Sequence, residues 1–242
     1  MPEWSDTGLL LSVRKYGEYD AVATLLTSAH GRQSGLCRAA FSRKKFGMFQ
    51  TGNLLQASWK ARLDEQLGVL SCDLMTPYAA QVMNDPDRLT VLSCICALSS
   101  LLPEREPVPD FFQKTLEQIV LLSFDGWAER YVRWELDLLE VLGFGLDLSA
   151  CAVTGRTDAL AYVSPKSGRA VCAEAGAPWR ERLLILPPFL LRPGAGAQSA
   201  EEIKNALNLT GFFLENHAAK TVDCRIPAVR SRLVARFAGT RL

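Results

Sequence analysis

TGLLLSVRKYGEYDAVATLLTSAHGRQSGLCRAA, residues 7–40, decides how the front of this chain folds. Three β-prone runs, 7–14, 19–28 and 31–40, are separated by turn signals at Tyr16-Gly17-Glu18 and His30-Gly31. Two more runs follow, GNLLQASWKA (52–61) and LGVLSCDL (67–74), with turn residues at Gly47, Gly52-Asn53 and Asp64-Glu65. Long apolar strand edges are a liability in water, so five such strands are expected to close into a small barrel. The five-stranded OB-fold is the common member of that class, and it binds oligonucleotides across one face.

Inside this region lies GRQSGLCRAAFSRKKFG, residues 31–47, which carries Arg32, Arg38, Arg43, Lys44 and Lys45 and no carboxylate. The acid-free span is wider still, from Ala21 to Leu63, and adds Lys60 and Arg62. Phe41, Phe46, Phe49 and Trp59 are interleaved with these cations. Cations hold phosphates through charge and counterion release, and aromatic faces offer bases a stacking surface. The same run also fits a solvated loop with its aromatics in the core.

A chain of 242 residues with 48% apolar and 22% charged residues is a globular protein with room for two modest domains or three small ones. No secretory pattern is found at MPEWSDTG and no run is long enough to span a bilayer, so a cytoplasmic location is expected. Seven cysteines without an export signal are expected to be reduced, buried thiols. The net charge of +1 hides a segregation. Residues 1–78 carry nine Lys/Arg and seven Asp/Glu, residues 79–147 five and twelve, and residues 148–242 thirteen and seven. Two basic parts flank an acidic middle, which points to a charged partner.

From Tyr78 the pattern is helical. Asp85-Pro86 caps a helix in which Leu89, Leu92, Ile95 and Cys96 share a face. In 109–124 the stripe is Phe112, Leu116 and Val120; in 127–143 it is Trp127, Tyr131, Trp134, Leu138 and Val141, with Gly143 as the stop. Periodicity is lost over 145–182. Ser199 and Glu202 form a capping box, a further helix is expected over 210–219, and Pro227 opens the last one. There Val229, Leu233 and Phe237 should face inward, with Arg230, Arg232 and Arg236 outward.

Catalytic signals are absent: the chain holds two histidines and no G-x-S-x-G, P-loop or H-E-x-x-H. Cys151 and Cys172 stand where a zinc ribbon begins each C-x-x-C, but Thr154 and Ala175 occupy the partner positions. Two thiolates cannot close a tetrahedral structural site, so no metal and no other cofactor is expected.

Four blocks in order resemble the bacterial recombination mediator RecO family, over essentially the full length. They are GRQSGLCRAAFSRKKFGMFQTGNLL, RYVRWELDLLEVLGFGLDLSACAVTG, YVSPKSGRAVC and IPAVRSRLVARF. The resemblance implies an N-terminal five-stranded OB-fold barrel followed by an α-helical domain with a zinc-ribbon-like insertion, here without its ligands at Thr154 and Ala175. It implies no enzymatic activity. The family's function is to bind single- and double-stranded DNA, to anneal complementary strands, and with RecR to help load RecA onto DNA coated by single-strand-binding protein (SSB). Some members contact the acidic SSB tail, for which Arg133 in the R-x-E-L block is the candidate; a helix-surface pair with Asp137 is the alternative.

The expected organisation is an OB domain at 1–78 and a helical domain at 79–242, with a degenerate knuckle-like insertion at 148–182. The expected phosphate contacts are Arg14, Lys15, Arg32, Arg38, Arg43, Lys44, Lys45, Lys60 and Arg62, with Arg230 and Arg232 as weaker ones. Two rival functions remain: an RNA-binding OB protein, and an interaction scaffold whose basic patch merely keeps it soluble.

Overall fold

The computed structural model describes residues 2–43, 45, 47–63, 65–192, 194–221 and 224–237. Strands β1 (Glu3–Tyr16), β2 (Asp20–Thr27), β3 (Gly31–Cys37), β4 (Leu54–Lys60) and β5 (Val69–Thr76) come first. Helices α1 (Tyr78–Val82), α2 (Pro86–Ser99) and α3 (Pro109–Leu121) follow. By packing, the chain divides into two compact units, Met1–Phe124 and Asp125–Leu242. The change from strand to helix falls at Tyr78, and packing groups these first three helices with the strands.

The strands neighbour one another in the order β1-β2-β3-β5-β4, and β4 returns to β1. Four of the five seams are antiparallel ladders, of which β1–β4 runs from Glu3↔Lys60 to Leu9↔Leu54. The β3–β5 seam is one parallel pair, Leu36↔Val69, with the Leu36 N–H on the Gly68 carbonyl at 3.0 Å. Farther along the same edge of β3 other groups take over. The Trp59 indole donates to the Ser34 carbonyl at 3.3 Å. The loop between α2 and α3 then lies beside Arg32 as a parallel bridge to Glu104, the Arg105 N–H meeting the Arg32 carbonyl at 3.0 Å.

The expected fold class is therefore corrected twice. An OB-type barrel laddered all round is not what forms, because the edge of β3 is satisfied piecemeal by an indole, a loop and one strand residue. Nor does the second unit confine its strands to the expected insertion at 148–182. It carries its own three-stranded sheet in the order β7-β6-β8, built from β6 (Leu160–Val163), β7 (Ala170–Cys172) and β8 (Leu184–Ile185).

Leu10, Leu25, Leu55, Ala57, Trp59, Leu70 and Cys72 fill the core between the strands. Each leucine removed from water there contributes roughly 1.5–3 kcal/mol. Asn53 is buried and fully used: its Nδ2 donates to the Gly47 and Met48 carbonyls at 3.3 and 3.1 Å, and its Oδ1 accepts from Ala79 N–H at 3.2 Å. One amide thus fixes both the end of the basic loop and the start of α1.

Asp85 caps α2 as expected, accepting from the N–H groups of Asp87 and Arg88. In α3 the buried stripe is Phe111, Phe112, Thr115, Gln118 and Ile119, whereas Val120 is exposed. The expected Phe112–Leu116–Val120 stripe is therefore rotated, because adjacent Phe111 and Phe112 both go inward.

The second unit opens with α4 (Trp127–Val141), which buries Tyr131, Trp134 and Leu138 as expected. After the sheet and the short α5 (Ala173–Gly176) comes α6 (Ala200–Phe213), capped by Ser199, whose hydroxyl accepts from Glu202 N–H at 3.2 Å. A π-helical turn (Leu214–Ala218), the one-turn α7 (Ala219–Thr221) and α8 (Ala228–Phe237) complete it. No described helix is long and apolar enough to cross a membrane.

Candidate nucleic-acid interface

Alternate residues of a strand share a face, so Ser12, Arg14 and Tyr16 point outward along β1 while Val13 packs on the core. Registers Arg14↔Val22 and Val22↔Leu36 set one outward row across three strands, and Ser12↔Thr24↔Ser34 sets the next. The Thr24 and Ser34 hydroxyls are hydrogen-bonded to each other at 2.9 Å. These rows floor a groove of about 530 Å³, walled by Glu65 and Leu67 on one side and by Glu104 and Arg105 on another.

Beside the groove, two loops are tied into one ledge. The β1–β2 turn is held to the chain leaving β3 by Phe41 N–H on the Tyr19 carbonyl, 3.0 Å, and by Ala39 N–H on the Asp20 carboxylate, 2.8 Å. Phe41, Met48 and Phe49 anchor that outgoing loop on the core. The loop is thus anchored by its apolar residues, while Arg38 and Arg43 lie on the solvent side.

The expected phosphate contacts separate into groups. Arg14, Lys15, Arg38 and Arg43 are exposed, and none forms an ion pair among the described residues. Lys45 is half-buried beside the thiols of Cys37 and Cys72. Lys44 and Phe46 lie outside the described residues. Lys60 and Arg62 line a different hollow of about 490 Å³ with Trp59 and Val69, and Lys60 is paired with Glu3 at 3.0 Å. Arg32 serves the fold: its Nε donates to the Leu102 carbonyl at 2.7 Å and its Nη1 pairs with Glu104 at 3.2 Å.

In the second unit, Arg232 is exposed, but Arg230 is not. Arg230 is 4% exposed and forms a two-pronged ion pair with Glu135, which is 0% exposed, at 2.7 and 2.8 Å. Tyr131 OH and Thr210 Oγ1 donate to the same carboxylate. The expectation of Arg230 on the outer face is corrected: it shares the inward face of α8 with Leu233, because a buried carboxylate needs a cation. Arg133 is committed as well, its guanidinium donating to the carbonyls of Phe189, Arg192 and Ala195 and lying over the Phe189 ring.

Among the described residues the interleaved aromatics Phe41, Phe49 and Trp59 pack on the core and offer no stacking surface. Trp59 is 2% and Phe49 9% exposed, and Trp4 is stacked between His30 and Trp59. Sequence reasoning missed instead Tyr16 and Tyr19 on the ledge and Arg105 in the groove. Both tyrosines flank the Gly17 turn, and two rings set about one turn glycine are the signal that could have found them.

A zinc site does not fit the residues present. The Cys151 thiol accepts from Cys172 N–H at 3.2 Å. Burial alone would raise its pKa, yet hydrogen bonds from the Thr154 hydroxyl and from the N–H groups of Cys172, Thr154 and Val153 bring it down to about 6. The protein thus supplies the donors that would stabilise a thiolate. Among the described residues no three His, Cys, Asp or Glu side chains are grouped to hold a metal ion.

The described residues thus set exposed cations without ion pairs beside a polar, strand-floored groove. The chain belongs to the recombination protein O (RecO) family: residues 1–78 match the model described as Recombination protein O N terminal, and residues 83–223 the one described as Recombination protein O C terminal. It is similar to the DNA repair protein RecO of Rhodospirillum rubrum, 46% identical over 98% of this chain and 97% of that one. The same-named proteins of Rhodospirillum centenum and Bartonella quintana are 49% and 43% identical, over 97% of this chain and 94% and 97% of theirs. Its function is accordingly that of a DNA-repair and recombination mediator, and not of an enzyme.

Proposed function

We propose that the ledge formed by Arg14, Lys15, Arg38 and Arg43, with the adjoining groove, holds the phosphates of single- and double-stranded DNA. On this reading the protein anneals complementary strands and, with RecR, helps load RecA onto DNA coated by SSB, acting in the cytoplasm on nucleoid DNA. The observation that carries it is that these four cations are exposed and without ion pairs among the described residues, two on β1 and two on the loop bonded to the β1–β2 turn. Their charge is therefore available to neutralise two strands that would otherwise repel each other.

The acidic SSB tail is proposed as a partner of the second unit. Arg133 is a poorer contact for it, since its Nη2 already meets three carbonyls and holds the side chain in place. Arg232 and the exposed pair Trp179 and Arg182, the guanidinium 5.8 Å from the ring centroid, offer free donors.

The test is fluorescence anisotropy of a labelled single-stranded oligonucleotide across a salt series. Four phosphate contacts at about 0.7 counterions each give an expected log–log slope of about −3. No binding even at low salt would overturn the reading, and RNA of equal length outcompeting DNA would turn it towards an RNA-binding function.

A further inference from the structure

The β1–β2 turn exposes two large rings that the fold does not use. Tyr16 is 60% and Tyr19 56% exposed, whereas Tyr78 and Tyr162 are half-buried and Tyr131 is buried. Gly17, at φ +67°, makes the turn between them, and Tyr16 stands opposite Asp20 in the ladder. Neither ring is in an aromatic or cation–π contact among the described residues. The backbone beneath them is fixed: the Tyr19 carbonyl and the Asp20 carboxylate are held by Phe41 and Ala39 N–H. Arg14 and Lys15 precede them on β1, and the loop bonded to the turn carries Arg38 and Arg43.

We infer that Tyr16 and Tyr19 are a base-stacking platform that makes this site prefer unpaired DNA. This inference rests on the proposed DNA contact at the ledge and goes beyond it, because cations alone bind duplex and single strand through the same phosphates. A free ring face attracts any unpaired base, irrespective of sequence, and each stack contributes about 1–3 kcal/mol. In a duplex the bases are stacked on each other and their faces are closed to the protein. The rings also lose little freedom on binding, since a tyrosine has two side-chain torsions. Arg14, on the same outward face as Tyr16, then directs the backbone of that strand towards the groove.

The test compares the full-length protein with Y16A/Y19A and Y16F/Y19F on three probes: a single-stranded oligonucleotide, the same sequence as duplex, and an abasic oligonucleotide of equal length. The alanine pair should lose about 10- to 100-fold in single-strand affinity with its salt slope unchanged, as expected for the loss of about 1.4–2.7 kcal/mol. Duplex and abasic affinities should stay within about twofold, and the phenylalanine pair should bind like the parent. Circular dichroism of each variant should match the parent, because both rings are in solvent. Parent-like single-strand binding by the alanine pair, or an equal loss on duplex and abasic probes, would overturn the stacking role. Failure of the parent protein to bind any probe would instead overturn the DNA-binding reading, and the inference with it.

Discussion

Arginine is put to two opposite uses in this chain, and the clearest cases of each lie in different units. In the first, Arg14, Arg38 and Arg43 stand in water with no ion pair among the described residues. In the second, Arg156 is clamped by Asp158 and Glu174, Arg169 by Asp147, Arg133 by three carbonyls and Arg230 by a buried glutamate. Yet the sequence of the second unit is slightly the more cationic, fifteen Lys/Arg to thirteen Asp/Glu over residues 125–242 against twelve to thirteen over residues 1–124. A count of charges therefore misjudges where a polyanion can bind. What matters is which cations still have unused donors once the fold is made.

The sharpest way to break this contrast is to remove one member of each kind. Arg230→Ala strands the Glu135 carboxylate in the core and should cost about 3–5 kcal/mol in denaturant unfolding. Its DNA affinity, measured well below the melting temperature, should change less than about twofold. A stable R230A protein that no longer bound DNA would reverse the assignment of the two arginine kinds. The opposite pattern is expected for Arg14, Arg38 and Arg43 changed together to Ala. Affinity should fall about 10- to 100-fold, and the salt slope should become shallower by about 2, with unfolding free energy within about 0.5 kcal/mol of the parent.

Finer distinctions follow inside each unit. Arg133→Ala should lose about 1–2 kcal/mol of stability by freeing the Phe189, Arg192 and Ala195 carbonyls, with SSB-tail affinity unchanged in a peptide titration. A tail affinity that fell without any loss of stability would restore Arg133 as a partner contact. Smallest of all is Glu3→Gln, which opens the exposed Lys60 pair and should cost less than about 1 kcal/mol in unfolding. If it also strengthened DNA binding, Lys60 would join the free cations.

Much of this was legible in the sequence, for reasons that are local. The five strands announce themselves by alternation and turn residues, and the Asp85 and Ser199 caps by spacing. What was not legible depends on partners distant in the chain. Glu135 lies among Tyr131, Trp134 and Leu138 on the buried face of α4, and an acid there demands a cation, but nothing local says that Arg230 supplies it. The covering of β3 likewise depends on a loop some seventy residues downstream. The interleaved aromatics misled because spacing cannot separate a ring that anchors a loop from one that greets a ligand; Phe49 and Trp59 do the first, and only burial tells.

That loop over β3 has a further consequence, for the life of the protein in a crowded cell. A strand edge with unpaired N–H and C=O groups is a template on which another chain can add a strand. Glu104 and Arg105 occupy that template at Arg32, and Gly31 makes their approach feasible. A Cβ at Gly31 would lie 2.2 Å from the Glu106 carbonyl oxygen, and its φ of +63° suits glycine. The segment between α2 and α3 thus occupies part of the edge on which another chain could add a strand, and Gly31 is the residue that lets it approach.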